Sequence, residues 1–302
     1  MGGSRAAGER LPGTWFRGRW LPWLLLAPQL LVIAVFFLWP TLRALRDAFY
    51  QGDAFGLSEE FVGLRHFAHT LGSAEYGHAL LLTLAYALLT SALSLAGGFA
   101  LAVAVEGLRS GRTLFRTLFL WPYALAPAIS AALWVFLFRP QVGLGAGLLE
   151  HAGVHWNPAL QPGQAQALVL ATTVWQLLAY NFLFYGAALQ SLPPSLLEAA
   201  ALDGARGWRR VRDVIWPLLA PTTLFLVVTD LSFVLFDTFG LIDVLTQGGP
   251  DHATETLVYK LYEDAFRNFD QGAAAVQSLL LMLLVTGLGV LQLRLQRRRV
   301  PA

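Results

Sequence analysis

The sequence predicts an all-α integral membrane protein with six transmembrane helices and both termini in the cytoplasm. Three observations predict it. Of 302 residues, 56% are hydrophobic and only 13% charged, where a water-soluble domain carries about 25% charged residues. Six apolar stretches reach the roughly 20 residues that a helix needs to cross a hydrocarbon core. The cations divide unequally between the segments that join those stretches.

The same composition excludes an ordinary soluble enzyme. It also excludes a disordered chain, which is polar and poor in aromatics. The net charge of +2 is not clustered on one polar domain, so no nucleic-acid partner is expected. With no cysteine in the chain, disulfides, thiolate chemistry and cysteine-held metals are excluded.

The six stretches are Leu21–Trp39, Ala79–Val105, Thr117–Phe138, Ala165–Leu189, Val214–Phe236 and Gly272–Leu293. Asp230 is the one charged residue inside them. Unbroken apolar runs such as Leu279–Leu284 rule out the alternation of a β-barrel wall. Arg17 and Arg19 precede the first stretch, as in a signal peptide. That stretch is long, however, and Trp39-Pro40 follows it rather than a small-residue cleavage site, so it reads as a retained helix. The whole of 1–302 reads as one transmembrane domain.

Charge sets the orientation. Arg5, Arg10, Arg17, Arg19, Arg109, Arg112, Arg116, Arg206, Arg209, Arg210, Arg212, Arg294, Arg297, Arg298 and Arg299 fall on one side. Arg43, Arg46, Arg65, Arg139, Lys260 and Arg267 fall on the other. The positive-inside rule places the first, larger group in the cytoplasm. The outward segments Pro40–His78, Arg139–Gln164 and Asp237–Gln271 are longer and acidic. Within them, Thr41–Tyr50 and Thr256–Phe269 repeat apolar residues at helical spacing and are expected to lie on the outer leaflet. The sharper reading makes them a docking surface for an outside partner.

Little in the chain supports catalysis. His66, His69, His78, His151, His155 and His252 all lie in outward loops, and no acidic or sulfur ligand completes the pairs His66/His69 or His151/His155. They read as solvated, with no metal. A phosphate-binding loop needs a lysine after glycine, and the single lysine, Lys260, follows Tyr259. No G-x-S-x-G elbow is present.

The most informative polar segment is cytoplasmic, over 191–213. Pro193 and Pro194 end the fourth span, since neither has an amide donor. Ser195-x-x-Glu198 has the spacing of a capping box, which predicts a short helix starting there. Ala199, Ala200 and Ala201 give it a small face, and Gly204 permits a positive-φ turn. Trp208 to Asp213 then reads as a basic second helix.

Glu198-Ala199-Ala200, followed by Gly204 and later Pro217, resembles the "EAA" signature of permease subunits of bacterial ABC importers. Val214 and Trp216 stand where that signature has Ile and Leu. Phe61-Val-Gly-Leu-Arg-His-Phe67, Pro122-Tyr-Ala-Leu-Ala-Pro127 and Thr246-Gln-Gly-Gly-Pro250 resemble the carbohydrate-uptake branch. Tyr180-Asn-Phe-Leu-Phe184, Ala187-Ala-Leu-Gln-Ser191, Phe236-Asp-Thr-Phe239 and Arg19-Trp-Leu-Pro-Trp23 are similar to the first permease subunits of sn-glycerol-3-phosphate importers. The resemblance runs from about Trp20 to about Leu293.

The resemblance implies a type I ABC importer permease fold in the bacterial inner membrane. It implies a heterodimer with a second permease, two cytoplasmic ATPase subunits that bind ATP and Mg, and an extracytoplasmic solute-binding protein. This chain itself would bind no cofactor. Glu198, Ala199, Ala200, Asp203 and Gly204 would form the coupling helix that enters a groove on the ATPase.

Polar residues inside spans are costly and face the bundle interior. Gln176, Tyr180 and Asn181 in the fourth span, with Asp230, Phe233 and Asp237 in the fifth, are candidate linings of a solute path. The competing role is interhelical hydrogen bonding. Two carboxylates on the path would repel a phosphate dianion unless Arg139 or a partner compensates, so a neutral sugar is the alternative solute. A proton-coupled carrier using Asp230 as relay is the alternative from another class, but such carriers often show inverted repeats, and none is visible.

Overall fold

A computed structural model describes residues 20–52, 58–108 and 110–299. Arg5, Arg10, Arg17, Arg19 and Arg109 of the cytoplasmic charge count lie outside the described residues.

Four of the expected spans are long, unbroken helices: Pro22–Asp47, Ala74–Glu106, Pro162–Ser191 and Gln271–Arg299. The other two are broken. The third consists of Arg112–Ala124 and Pro127–Leu137, meeting at 105°. The fifth consists of Trp208–Leu218 and Ala220–Phe236, meeting at 70°. Proline accounts for both breaks. Ala126, before Pro127, takes extended backbone, as a residue before proline prefers. Leu219 leaves helical geometry between Pro217 and Pro221, which withhold two amide donors.

The first helix departs from expectation in the opposite sense. It does not end at Trp39-Pro40 but continues to Asp47. Residues Ala34–Leu38 open into a wide π turn, and the Trp39 amide reaches back five residues to the Ala34 carbonyl. A widened turn makes room for the Pro40 ring, which would otherwise strike the carbonyl one turn earlier. Thr41–Asp47 is therefore the outward end of the first span and not a separate interfacial helix. Just beyond it, Ala48 is buried against Ala275, Val276 and Leu279 of the last helix. A short antiparallel hairpin follows, pairing Tyr50–Gly52 with Glu59–Phe61.

Thr256–Phe269 is helical as expected, through Leu257–Tyr262 and a π turn over Glu263–Arg267. It does not lie on the leaflet. Leu257, Tyr259 and Lys260 are buried in the bundle. The Leu257 amide donates to Thr83 Oγ1 at 2.8 Å, fixing this segment to the second span.

The second and fourth spans form the central pair. Gly98 makes their close approach possible: a Cβ there would lie 2.7 Å from Asn181 Cβ and 3.0 Å from the Phe182 amide nitrogen. Small residues let backbones approach where no hydrophobic force drives helices together. On the cytoplasmic side this pair joins Ile215, Leu219 and Leu226 of the fifth span in one buried cluster with Val105, Phe182 and Tyr185.

Candidate functional site

The cytoplasmic loop folds as two short helices joined by two glycine corners. The first helix, Pro194–Leu202, is preceded by Pro193 and has no side-chain cap. The expected capping box of Ser195 and Glu198 is therefore not formed. Pro194 already has helical φ and no amide to satisfy, so the helix starts before Ser195 and leaves that residue inside its first turn.

The helix ends as Gly204 predicts. The Ala205 amide donates to the Ala200 carbonyl at 2.9 Å and the Gly204 amide to the Ala201 carbonyl at 3.2 Å. This is a Schellman motif, with Gly204 at φ +83°. The second corner, Gly207 at φ +54°, was not singled out by the sequence reading, although glycine is the usual signal for such a position. Trp208–Arg210 opens the expected basic helix, which runs on through Pro217 to Leu218.

This loop is anchored on one face and open on the other. Leu197 and Val211 pack on the cytoplasmic core cluster, and Ile215 is buried within it. Glu198, Ala199 and Asp203 are exposed, and Ala200 is half-buried. Leu202 is 90% exposed and Trp208 75% exposed. Two large apolar side chains thus project from a polar cytoplasmic surface, as a protein-docking surface requires.

The interior candidates divide into two groups. Asn181 and Asp230 are fully buried. Asn181 Nδ2 and Ser94 Oγ each donate to Asp230 Oδ2 at 2.8 Å. These bonds join the fourth, second and fifth spans. Ser94, a small hydroxyl within an apolar run, gave no sequence signal of this role. Gln176 donates from Nε2 to the Leu125 carbonyl at 2.8 Å. It thereby satisfies a backbone acceptor at the break in the third span, where lipid could not.

The second group is open. Tyr180 packs on Tyr123 and Phe184, with ring centroids 5.5 and 4.7 Å apart, and Phe184 packs on Phe225 at 5.4 Å. Tyr123 is 51% exposed and Phe225 36% exposed. The four rings form a strip across the third, fourth and fifth spans. Phe233 is half-buried against Ala87, Leu177 and Val234. Asp237 is exposed just past the end of the Ala220–Phe236 helix. Asp230 and Asp237 therefore do not share one polar surface: the helix carries Asp230 into the bundle and ends before Asp237 at the outer edge.

On the outward side, Lys260 lies 3.4 Å from Asp264, 3.2 Å from Glu75 and 3.9 Å from Glu255. Burial opposes its charge, but Asp264, Glu75 and Glu255 together hold the Lys260 ammonium above its usual range. Burial pushes the Glu255 carboxyl up, against the pull of His252 and Lys260. His252 is solvent-exposed, as expected, and its Nδ1 pairs with the buried Glu255 carboxyl. Its ring, Glu255 and Glu263 bring ligand-type atoms within 4.8 Å of one another. Cations already occupy this cluster: Lys260 faces Glu255, and Arg267 donates to Glu263 at 2.9 Å.

Six spans, a glycine-cornered cytoplasmic loop between the fourth and fifth, and no nucleotide-binding motif define a type I permease subunit of an ABC importer. The chain belongs to the family described as "Binding-protein-dependent transport system inner membrane component", whose model matches residues 94–300. It is 46% identical over 285 residues to the sn-glycerol-3-phosphate transport system permease protein UgpA of Rhizobium meliloti (strain 1021), covering 94% of this chain and 97% of that one. The UgpA of Yersinia enterocolitica is also 46% identical, with the same coverage. Among solved structures, it is similar to a bacterial ABC transporter involved in import of the acidic polysaccharide alginate. That match has a TM-score of 0.81 at 22% identity, over 93% of this chain and 96% of that one. The same kind of transporter, bound to an alginate pentasaccharide-bound periplasmic protein, matches with a TM-score of 0.79 at 21% identity, over 92% and 94% of the two chains. The protein is thus an inner-membrane transport component rather than an enzyme.

Proposed function

We propose that this permease imports sn-glycerol-3-phosphate or a closely related polyol phosphate. One observation carries the solute class. The likeness to permeases of that name, 46% identical, extends over 94% of the chain, through the spans as well as the loop. A neutral sugar is the second reading, favoured by the exposed Asp237 carboxylate at the outward end of the fifth span, which repels a phosphate dianion.

In this reading the chain pairs with a second permease and receives solute from an extracytoplasmic binding protein. Two cytoplasmic ATPase subunits bind ATP and Mg and dock on Glu198, Ala199, Ala200, Asp203 and Gly204. The rigid bend at Gly204 and the anchoring of Leu197 and Ile215 support that docking site, since a helix pair pinned to the core carries motion into the bundle. The strip Tyr123, Tyr180, Phe184 and Phe225 offers apolar faces to a carbon skeleton. Of the other path candidates, Phe233 and Asp237 remain near an open surface, whereas Gln176, Asn181 and Asp230 act by holding helices.

The test is uptake into vesicles holding the chain with its genetic neighbours, namely the second permease, ATPase and binding protein. ATP-dependent accumulation of labelled sn-glycerol-3-phosphate, with none of maltose, is expected. Accumulation of the sugar alone would overturn the solute, and uptake driven by a proton gradient without ATP would overturn the mechanism.

A further inference from the structure

Glu106 ends the second span on the cytoplasmic side and gathers an unusual number of partners. Its Oε2 lies 3.1 Å from Arg112 Nη1, and its Oε1 is bonded by Arg116. Gln190, at the end of the fourth span, donates to Oε1 at 3.3 Å. Arg112 and Arg116 both stand on Arg112–Leu120, the cytoplasmic arm of the broken third span. One half-buried carboxylate therefore sets where that arm rests against the second and fourth spans.

A cavity of about 440 Å³ separates Glu106 from the loop helices, lined by Glu106, Leu197, Gly207, Arg210, Val211 and Ile215. Arg210 stands at the start of the second loop helix, and its Nε is buried without a hydrogen-bond partner among the described residues. A guanidinium carries five donors, and a buried donor left unmade is costly. Glu106 is the acidic group on the wall of the same cavity.

We infer that Glu106 is the positioning residue that converts movement of the 194–213 loop into movement of the third span's cytoplasmic arm. When the ATPases push the loop inward, Arg210 crosses the cavity and bonds Glu106. Arg112, Arg116 and Gln190 already occupy three of the Glu106 carboxylate's roughly four acceptor positions. A forked Arg210 guanidinium, which takes two, therefore displaces Arg112 or Arg116, and the arm swings about the break before Pro127. The inference rests on the reading of 194–213 as the coupling loop.

The test is a double-mutant cycle in the complete transporter, with ATP hydrolysis, solute uptake and ATPase co-purification measured on the same membranes. Glu106→Gln should raise solute-independent hydrolysis at least threefold and lower solute uptake per ATP at least tenfold, because the arm is no longer held. Arg210→Gln should lower uptake similarly while solute-independent hydrolysis stays low, because the arm is held but not released. In the double variant the losses should not multiply, since residues acting through one contact are non-additive. Multiplying losses, or Glu106→Gln uptake equal to wild type, would overturn the inference.

If Glu106→Gln fails to assemble, the same cycle is run with Glu106→Asp, which keeps the charge but shortens its reach. An intermediate phenotype that is non-additive with Arg210→Gln supports the exchange, and an additive one overturns it. Should Gly204→Val also transport normally with its ATPase bound, the coupling-loop reading itself falls. If that variant loses its ATPase while the Glu106 cycle is additive, the present inference falls alone.

Discussion

Asn181 on the fourth span donates its side-chain amide to Asp230 on the fifth at 2.8 Å, and both residues are fully buried. Ser94 of the second span donates to the same carboxylate oxygen at 2.8 Å. Three spans therefore converge on one acidic side chain, directly beside the close approach at Gly98. A charge or polar group at such depth is costly in hydrocarbon, and its partners hold the helices in register.

Asn181→Leu should accordingly act on stability. It leaves the buried Asp230 carboxylate with Ser94 alone, at a cost of about 1–3 kcal/mol. Thermal unfolding of the purified, detergent-solubilised transporter measures this. Ser94→Ala should be milder, because Asn181 remains. An unfolding temperature equal to wild type for Asn181→Leu would show that the bond contributes nothing to the fold.

Tyr180→Ala removes the central ring of the exposed strip between Tyr123 and Phe184. Solute uptake should drop several-fold, with the yield of the assembled transporter unchanged. Tyr180→Phe should retain most of the uptake, since the strip offers a flat apolar face. Equal uptake by all three proteins would remove the strip from the path.

Gly204 sits at φ +83°, and no atom of the described residues lies within 4 Å of where a Cβ would stand. The penalty for substitution is therefore backbone strain alone, about 1–2 kcal/mol for a β-branched residue. Gly204→Val should weaken co-purification of the ATPase, whereas Gly204→Asn should be tolerated, because asparagine visits this conformation. Glu198→Lys should impair docking without unfolding the helix, since Glu198 makes no cap. Wild-type ATPase binding by Gly204→Val and Glu198→Lys together would dismiss the loop as the docking site.

Lys260→Met strands Glu255 and Asp264 on the outward side without their cation. Breaking a buried pair from one side costs about 3–5 kcal/mol, so the variant should show a clearly lowered unfolding temperature. The Lys260 pKa is raised above 10.5 by Asp264, Glu75 and Glu255 against its burial. Its contribution is thus complete below about pH 10.5 and lost only as pH rises through the higher folded value. Stability followed from pH 7 upward should show a Lys260-dependent loss only in that alkaline range, and loss near neutrality would contradict the assignment.

A reporter fused after Ala302 should be active in the cytoplasm, because Arg294 to Arg299 hold the last span's end there. A periplasmic signal from that fusion would invert the topology.

The six spans and the loop glycine were legible in the sequence because each depends on nearby residues alone. Span length follows from the hydrocarbon thickness, and the turn at Gly204 follows from the absence of a Cβ. The capping box failed for a local reason too: Pro194 competes with Ser195 for the helix start and wins. Asp230 was visible as a lone carboxylate, but its partners Asn181 and Ser94 lie 49 and 136 residues away. No periodicity reports which faces of two helices will meet.

Proline shows where that division falls. Pro28 and Pro40 lie within one continuous helix, whereas Pro127 follows a 105° break. The sequence by itself determined where a backbone donor is missing, how long each apolar stretch runs and which side carries the cations. Tertiary structure alone decided what the missing donor does. Pro40 is absorbed by a π turn, while the break at Leu125 is held open by Gln176 from another span. The same was true of Thr256–Phe269, whose apolar spacing fits a leaflet or a bundle equally well until Thr83 and Glu75 claim it. A free carbonyl inside a membrane must find a donor, and only the arrangement of neighbouring helices determines which donor is within reach.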